Sequence, residues 1–165
     1  MSLLELAQYI EALPSSTALR ESVWGYTIVE TSHVVSMCFF LAFLVMMDLR
    51  MAGVAFRGTP FSLLQQRFFK GQMFGFGLSS VTGGILVYQE PTRFYGNIFF
   101  WIKMVLLVLA GINAMVFHYT VYRRVDRWDL DEVPPTSARF AGFTSLGLWA
   151  FIIISGRLIA YNWFD

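Results

Sequence analysis

Glu30 and His33 stand three residues apart in TIVETSHVVSMCFFLAFLVMMDLR, Thr27 to Arg50, a run otherwise suited to hydrocarbon. Positions three apart share a helix face, so a carboxylate and an imidazole are expected side by side. Lys103 in FFWIKMVLL and Arg157 in IIISGRLIA place two cations in further apolar runs, and His118 in AGINAMVFHYTVYRR adds a second imidazole. A charge in the bilayer interior costs several kcal/mol unless it finds a partner. These side chains are therefore expected to face one another inside a helix bundle, with Glu30–Arg157 the economical ion pair. Their chemistry is that of a redox site. An imidazole ligates haem iron or passes a proton, and an arginine and a lysine would meet haem propionates or a quinone carbonyl.

Depth constrains how these groups combine. At about 1.5 Å rise per residue, Glu30, Lys103 and Arg157 come out roughly 7–11 Å to one side of the helix centres. His33 lies near the middle and His118 about 12 Å toward the opposite side by the same measure. One haem b is the expected cofactor, with His33 the first expected axial ligand and His118 the second. The depth gap leaves three arrangements open: shared ligation, ligation by one histidine, or a polar clamp without iron. Gly111 and Ala114, upstream on the His118 face, are small enough to leave room for a flat macrocycle. GQMFGFGLSSVTGG supplies Gly71, Gly75, Gly77, Gly83 and Gly84, which suit close helix packing or a wedge-shaped cavity. Eight methionines bring copper into consideration, with Met46, Met47, Met73 and Met115 near the depth of His118. MMDLRMAG pairs Asp48 with Arg50 near a helix end, either as an interfacial ion pair or as a docking surface. No HExxH, CxxC, phosphate-cradling glycine loop or Ser/His/Asp grouping is present.

The elements that must position these residues follow from composition. The chain has 165 residues, 56% hydrophobic and 14% charged, against about 25% charged in an ordinary soluble domain. An all-α integral membrane four-helix bundle is expected. Net charge is +1, which gives no field for nucleic acid, and the single cysteine, Cys38, excludes an internal disulfide. Apolar runs of roughly 20 residues, enough to span a bilayer, fall near Val23–Met47, Phe68–Tyr88, Ile98–Tyr122 and Phe140–Asn162. Residues 1–14 read as a short amphipathic helix in the interface, ended by Pro14, with Ser15 or Ser16 capping the next. The sequence lacks the basic start and small-residue cleavage site of a signal peptide. Residues 15–165 form the four-span domain.

Loops are expected at RGTPF, QEPTRFYGN and DLDEVPPTS. Arg50, Arg57, Arg67 and Lys70 flank the first, and Arg123, Arg124, Arg127 and Arg139 the third. By the positive-inside rule these two loops are cytoplasmic and both termini periplasmic. Trp24, Tyr88, Tyr95, Trp101 and Trp163 would form the outer aromatic belt, and Tyr119, Tyr122 and Trp128 the inner one.

The ordered motifs LRESVWGYTIVETSHVV, DLRMAG, VTGGILVYQEPTRFYGNIFFWIKM, AGINAMVFH and SGRLIAY resemble a group of small, mostly uncharacterised four-span bacterial inner-membrane proteins. That group is distantly similar to b-type cytochrome bundles and to copper-resistance D-type proteins. The resemblance implies a role for His33, His118, Lys103, Arg157 and the Asp48–Arg50 pair. Two histidines limit the chain to one bis-histidine haem. The expected function is haem b-binding electron transfer to or from quinone or a partner subunit. The rival is a non-catalytic accessory subunit, packing a surface rich in its 17 phenylalanines against a larger complex or another copy of itself.

Overall fold

The structure is a computed structural model, described over residues 2–161; Asn162 and Trp163, assigned above to the last span and the outer belt, lie outside the described residues. Among the described residues every regular element is helical. Helix α1, Leu3–Glu11, opens on a capping box, with Ser2 Oγ accepting from the Glu5 N–H and the Glu5 carboxylate accepting from the Ser2 N–H. Pro14 does not merely end it. It occupies the first turn of α2, Pro14–Glu21, where a missing N–H costs nothing. The expected serine cap is elsewhere: Ser22 caps α3, Val23–Ala52, accepting from the Gly25 N–H at 3.0 Å. Gly53 closes α3 at φ 73°, a left-handed conformation that favours glycine.

Helix α4, Phe61–Gln89, follows Pro60, and the short α5, Pro91–Gly96, starts on Pro91. Asn97 begins α6, Ile98–Val116, by accepting from the N–H groups of Phe99 and Phe100. Its amide donates to the Ile159 carbonyl at 3.0 Å, fixing the start of α6 to the end of α7, Thr136–Leu158. Beyond Val116 the helix widens into a π turn, Phe117–Val121, and then tightens into a 3₁₀ segment, Tyr122–Arg127.

Three stretches, Val23–Ala52, Ile98–Arg127 and Thr136–Leu158, are long and apolar enough to cross a membrane. Large apolar side chains such as Val35, Val105, Val108 and Phe151 stand about 60% exposed on them. Water would penalise such surface, whereas lipid is its natural solvent. Helix α4 has comparable length but is interrupted by Arg67, Lys70 and five glycines.

Helix α3 is central, packing on α4 and on α7, while α6 packs on α7. Small residues set the spacing. A Cβ on Gly75 would lie 3.0 Å from the Phe40 backbone nitrogen, and one on Gly142 would lie 2.8 Å from the Asp48 carbonyl oxygen. Helices α4 and α6 instead face each other across a cleft.

Both ends are tied. At one end Ser16 donates to the carbonyl of Tyr88 at 2.9 Å and Ser15 pairs with the Tyr88 hydroxyl at 2.6 Å. Glu11 accepts from Thr92 and pairs with Arg20 at 3.5 Å, so the N-terminal helices lie over α4 and α5. At the other end Asp129 accepts from the backbone N–H and hydroxyl of Ser62. Phe61 and Trp128 pack there, rings tilted with centroids 5.6 Å apart, with Met47, Met51 and Ala138 in the buried cluster.

Candidate functional site

Each of four elements contributes one stripe to the α4–α6 cleft. From α3 come Phe40, Leu44, Met47, Asp48 and Met51; from α4, Gln65, Phe69, Gln72, Met73, Phe76 and Ser80; from α7, Ala141, Ser145 and Trp149. From α6 come Leu107, Ala110, Gly111 and Ala114, and the π turn adds His118. The steps of three, four and seven are those of a single helix face. The cavity holds about 590 Å³, inside the range of small-molecule sites. It runs from the middle of α3 to its loop end.

The polar groups in this cleft differ from those expected. Asp48 is 4% exposed, and its Oδ2 has no hydrogen-bond partner. It does not pair with Arg50. Residues two apart on a helix turn about 200° away from each other, and Arg50 leaves on the opposite side. There its guanidinium donates to the carbonyls of Thr59 at 2.7 Å, Asp131 at 2.9 Å and Asp129 at 3.1 Å. Asp48 is therefore a buried carboxylate beside a cavity, hydrogen-bonded by the Ser145 side chain and with Oδ2 left unpaired. Asn113, which sequence reasoning passed over, donates from its amide to the Ala141 carbonyl at 3.1 Å and lines the same space.

His118 lines the cleft with Tyr122 stacked on it, ring centres 5.3 Å apart. The π turn that carries it shifts the side chains beyond Val116 relative to a continuous α-helix, and such turns concentrate at functional sites. Gly111 and Ala114 lie below it on the cavity wall, and a Cβ on Gly111 would meet nothing within 4 Å. Of the methionines considered for copper, Met47, Met73 and Met115 line the cavity and Met46 does not.

His33 is placed apart from this cleft. Its Nδ1 donates to the Ser79 carbonyl at 2.9 Å and lies 3.2 Å from the Thr82 hydroxyl. A carbonyl can only accept, so Nδ1 carries the proton and Nε2 is the free nitrogen. The ring packs against α4, where a Cβ on Gly83 would lie 3.0 Å from Cε1. Lys103 approaches Gly156 of α7, and among the described residues it has no ion-pair or hydrogen-bond partner. Arg157 sits over the Tyr161 ring at 5.4 Å and donates to its hydroxyl at 3.2 Å. The expected Glu30–Arg157 ion pair is not formed; Glu30 is exposed on its helix face near Tyr26. None of His33, Lys103 and Arg157 lines the cleft, and no cluster of three or more His, Cys, Asp or Glu able to hold a metal occurs among the described residues.

What decides kinship is the span from Ser22 to Asn162, which matches a family of unknown function, DUF6644. The chain belongs to that family. Membership agrees with the likeness to a mostly uncharacterised group; the more distant likeness to b-type cytochromes and copper-resistance D-type proteins stays with the motifs alone. Comparison with curated proteins and with solved structures finds no match.

Proposed function

We propose that this member of DUF6644 is a membrane electron-transfer domain or subunit whose α4–α6 cleft binds the ring of a lipid-soluble quinone. All four long helices cross a bacterial inner membrane as a bundle, α1 lies in the interface, and both termini are periplasmic. The cleft is the observation that carries the proposal: an intramembrane cavity of about 590 Å³ with His118 and Asp48, whose Oδ2 has no hydrogen-bond partner, in its wall. Its opening between α4 and α6 faces lipid, the phase in which a quinone dissolves. Aromatic and aliphatic side chains would sandwich the ring. His118 would donate a hydrogen bond to one ring oxygen. Reduction of a quinone consumes protons as well as electrons, and Asp48 is placed to hold one inside the membrane.

Haem b in the same cleft is the second reading, favoured by the small Gly111 and Ala114 on the wall beneath His118. His118 would then supply the axial nitrogen. The cleft fits the macrocycle better than the surroundings of His33, which are filled by α4. It lacks a lysine or arginine for the propionates, and quinone is preferred for that reason. Lys103 and Glu30 act in this arrangement as neighbours of His33, and they and Arg157 lie outside the ligand's contact.

One preparation tests both. In neutral detergent, a short-tailed quinone should quench the fluorescence of Trp149, which lines the cleft, in a saturable manner. His118→Ala and Asp48→Asn should each weaken binding by up to about tenfold, the worth of one hydrogen bond. Linear quenching that both variants leave unchanged would sink the quinone reading. A Soret band with sharp reduced bands, lost in His118→Ala and kept in His33→Ala, would assign haem. A colourless protein without saturable quenching would leave the accessory-subunit role, with a larger membrane complex or a second copy as its partner.

A further inference from the structure

Arg123, Arg124 and Arg127 converge with Tyr119, Thr120, Trp128, Asp131 and Ser137 on a second cavity, of about 730 Å³, at the loop end of α6. Their spacing brings them together. Arg127 is three residues from Arg124 and four from Arg123, spacings that keep side chains on one side of a helix. Here the segment is 3₁₀ with a kink at Arg124, and all three arginines line the cavity. Arg124 itself leaves helical geometry at φ −114°, ψ 23°. Arg123 stands over the Tyr119 ring at 5.6 Å.

Three arginines share this basin with one carboxylate, that of Asp131. Among the described residues none of the three forms an ion pair or a hydrogen bond to a side chain; the described ion pairs are Arg20–Glu11 and Arg93–Glu90. Three arginines held in one concavity with a single carboxylate, and none of them ion-paired among the described residues, have fork-shaped donors to spare, the geometry that grips a phosphate through two oxygens. The basin lies at the end of the apolar stretch Ile98–Arg127, the depth at which lipid headgroups begin. Tyr119 and Trp128 add aromatic rings that suit that interface, and Thr120 and Ser137 bring hydroxyls.

We infer that this basin binds a phosphate group, supplied by the headgroup of an anionic phospholipid or by a soluble phosphate. It is a separate cavity from the cleft, with Tyr119 in the wall of both, and needs no redox ligand there. A basic pocket beside membrane helices is a recognised way to hold an anionic headgroup, and here it would anchor the end of α6 where the helix changes type.

The test uses the full chain in neutral detergent and follows its unfolding temperature. The probes are short-chain phosphatidylglycerol, short-chain phosphatidylcholine and inorganic phosphate. Phosphatidylglycerol should raise the temperature saturably, and zwitterionic phosphatidylcholine should not. Replacing all three arginines by glutamine, all at exposed positions that leave the core intact, should weaken the effect on the order of a hundredfold, from about fivefold per arginine. Arg67→Gln, an exposed arginine on α4, should leave it unchanged. A rise with phosphatidylglycerol alone assigns the phosphate to lipid; an equal rise with inorganic phosphate supports the same chemistry from a soluble source. No rise with either, a rise undiminished in the triple variant, or equal loss in Arg67→Gln would overturn the inference.

Discussion

Arg50 shows what a single side chain does in this protein. It is fully buried, and its three hydrogen bonds reach carbonyls on both loops that share its end of the molecule. Arg50→Met would keep the apolar stem and leave three carbonyls without donors. Leaving a buried polar group unpaired costs about 1–3 kcal/mol each. With Thr59 and Asp129 half-buried and Asp131 exposed, a loss on the order of 3 kcal/mol is expected. Unfolding in a mixed-detergent titration measures it, and an unchanged midpoint would show that water replaces the guanidinium. Asp48 and Arg50 were conspicuous in the sequence as charges at the end of an apolar run. The sequence reading pairs them, although residues two apart on a helix point to opposite sides. Their partners, a cavity and two distant loops, are properties of the fold.

At the scale of elements, helix boundaries follow side-chain burial more than hydropathy. The apolar run of α3 fades at Met47, yet the helix continues to Ala52. Asp48 and Arg50 are enclosed by protein there, so the backbone has no need to end the helix at the first charge. Helix α4 likewise begins at Phe61, seven residues before its apolar run. Helices α7 and α3 approach closely at Gly142, where an added Cβ would meet the Asp48 carbonyl oxygen at 2.8 Å and Met51 Cβ at 3.0 Å. Gly142→Ala should therefore cost about 1–3 kcal/mol, the usual range for overpacking. Gly147→Ala, with nothing within 4 Å, should be neutral or stabilising by up to about 1 kcal/mol through helix propensity. Equal effects of the two, read in the same detergent titration, would mean that α7 slides freely on α3.

For the whole molecule the question is which ends face which side. The N-terminal helices and α5 close one end, and the loops around Thr59 and Asp129 close the other. If α4 crosses with its three neighbours, single cysteines at Ser2 and Gly96 should react with an impermeant thiol reagent from the periplasmic side. Cysteines at Gly58 and Glu132 should react only after the membrane is opened. Cys38 is first replaced by serine. Labelling of Gly58 and Gly96 from the same side would show that α4 stays on one face of the membrane, and the cleft would then lose its lipid-facing mouth.

Sequence alone determined the helical class and the membrane setting, because lipid demands long apolar stretches whose backbone satisfies itself. It also marked the ionisable residues as exceptions, since hydropathy is a property of each residue and its near neighbours. Which exceptions meet depended on helix rotation and on backbone approach at Gly75 and Gly142, contacts between residues tens of positions apart. Tertiary structure thus separated His33 from His118, left Glu30 and Arg157 unjoined, and turned Asp48 from an ion-pair partner into a carboxylate facing empty space. The π turn at His118 likewise has no mark in the local pattern: a change of one residue in helical register is invisible until packing around Phe61 and Trp128 fixes it.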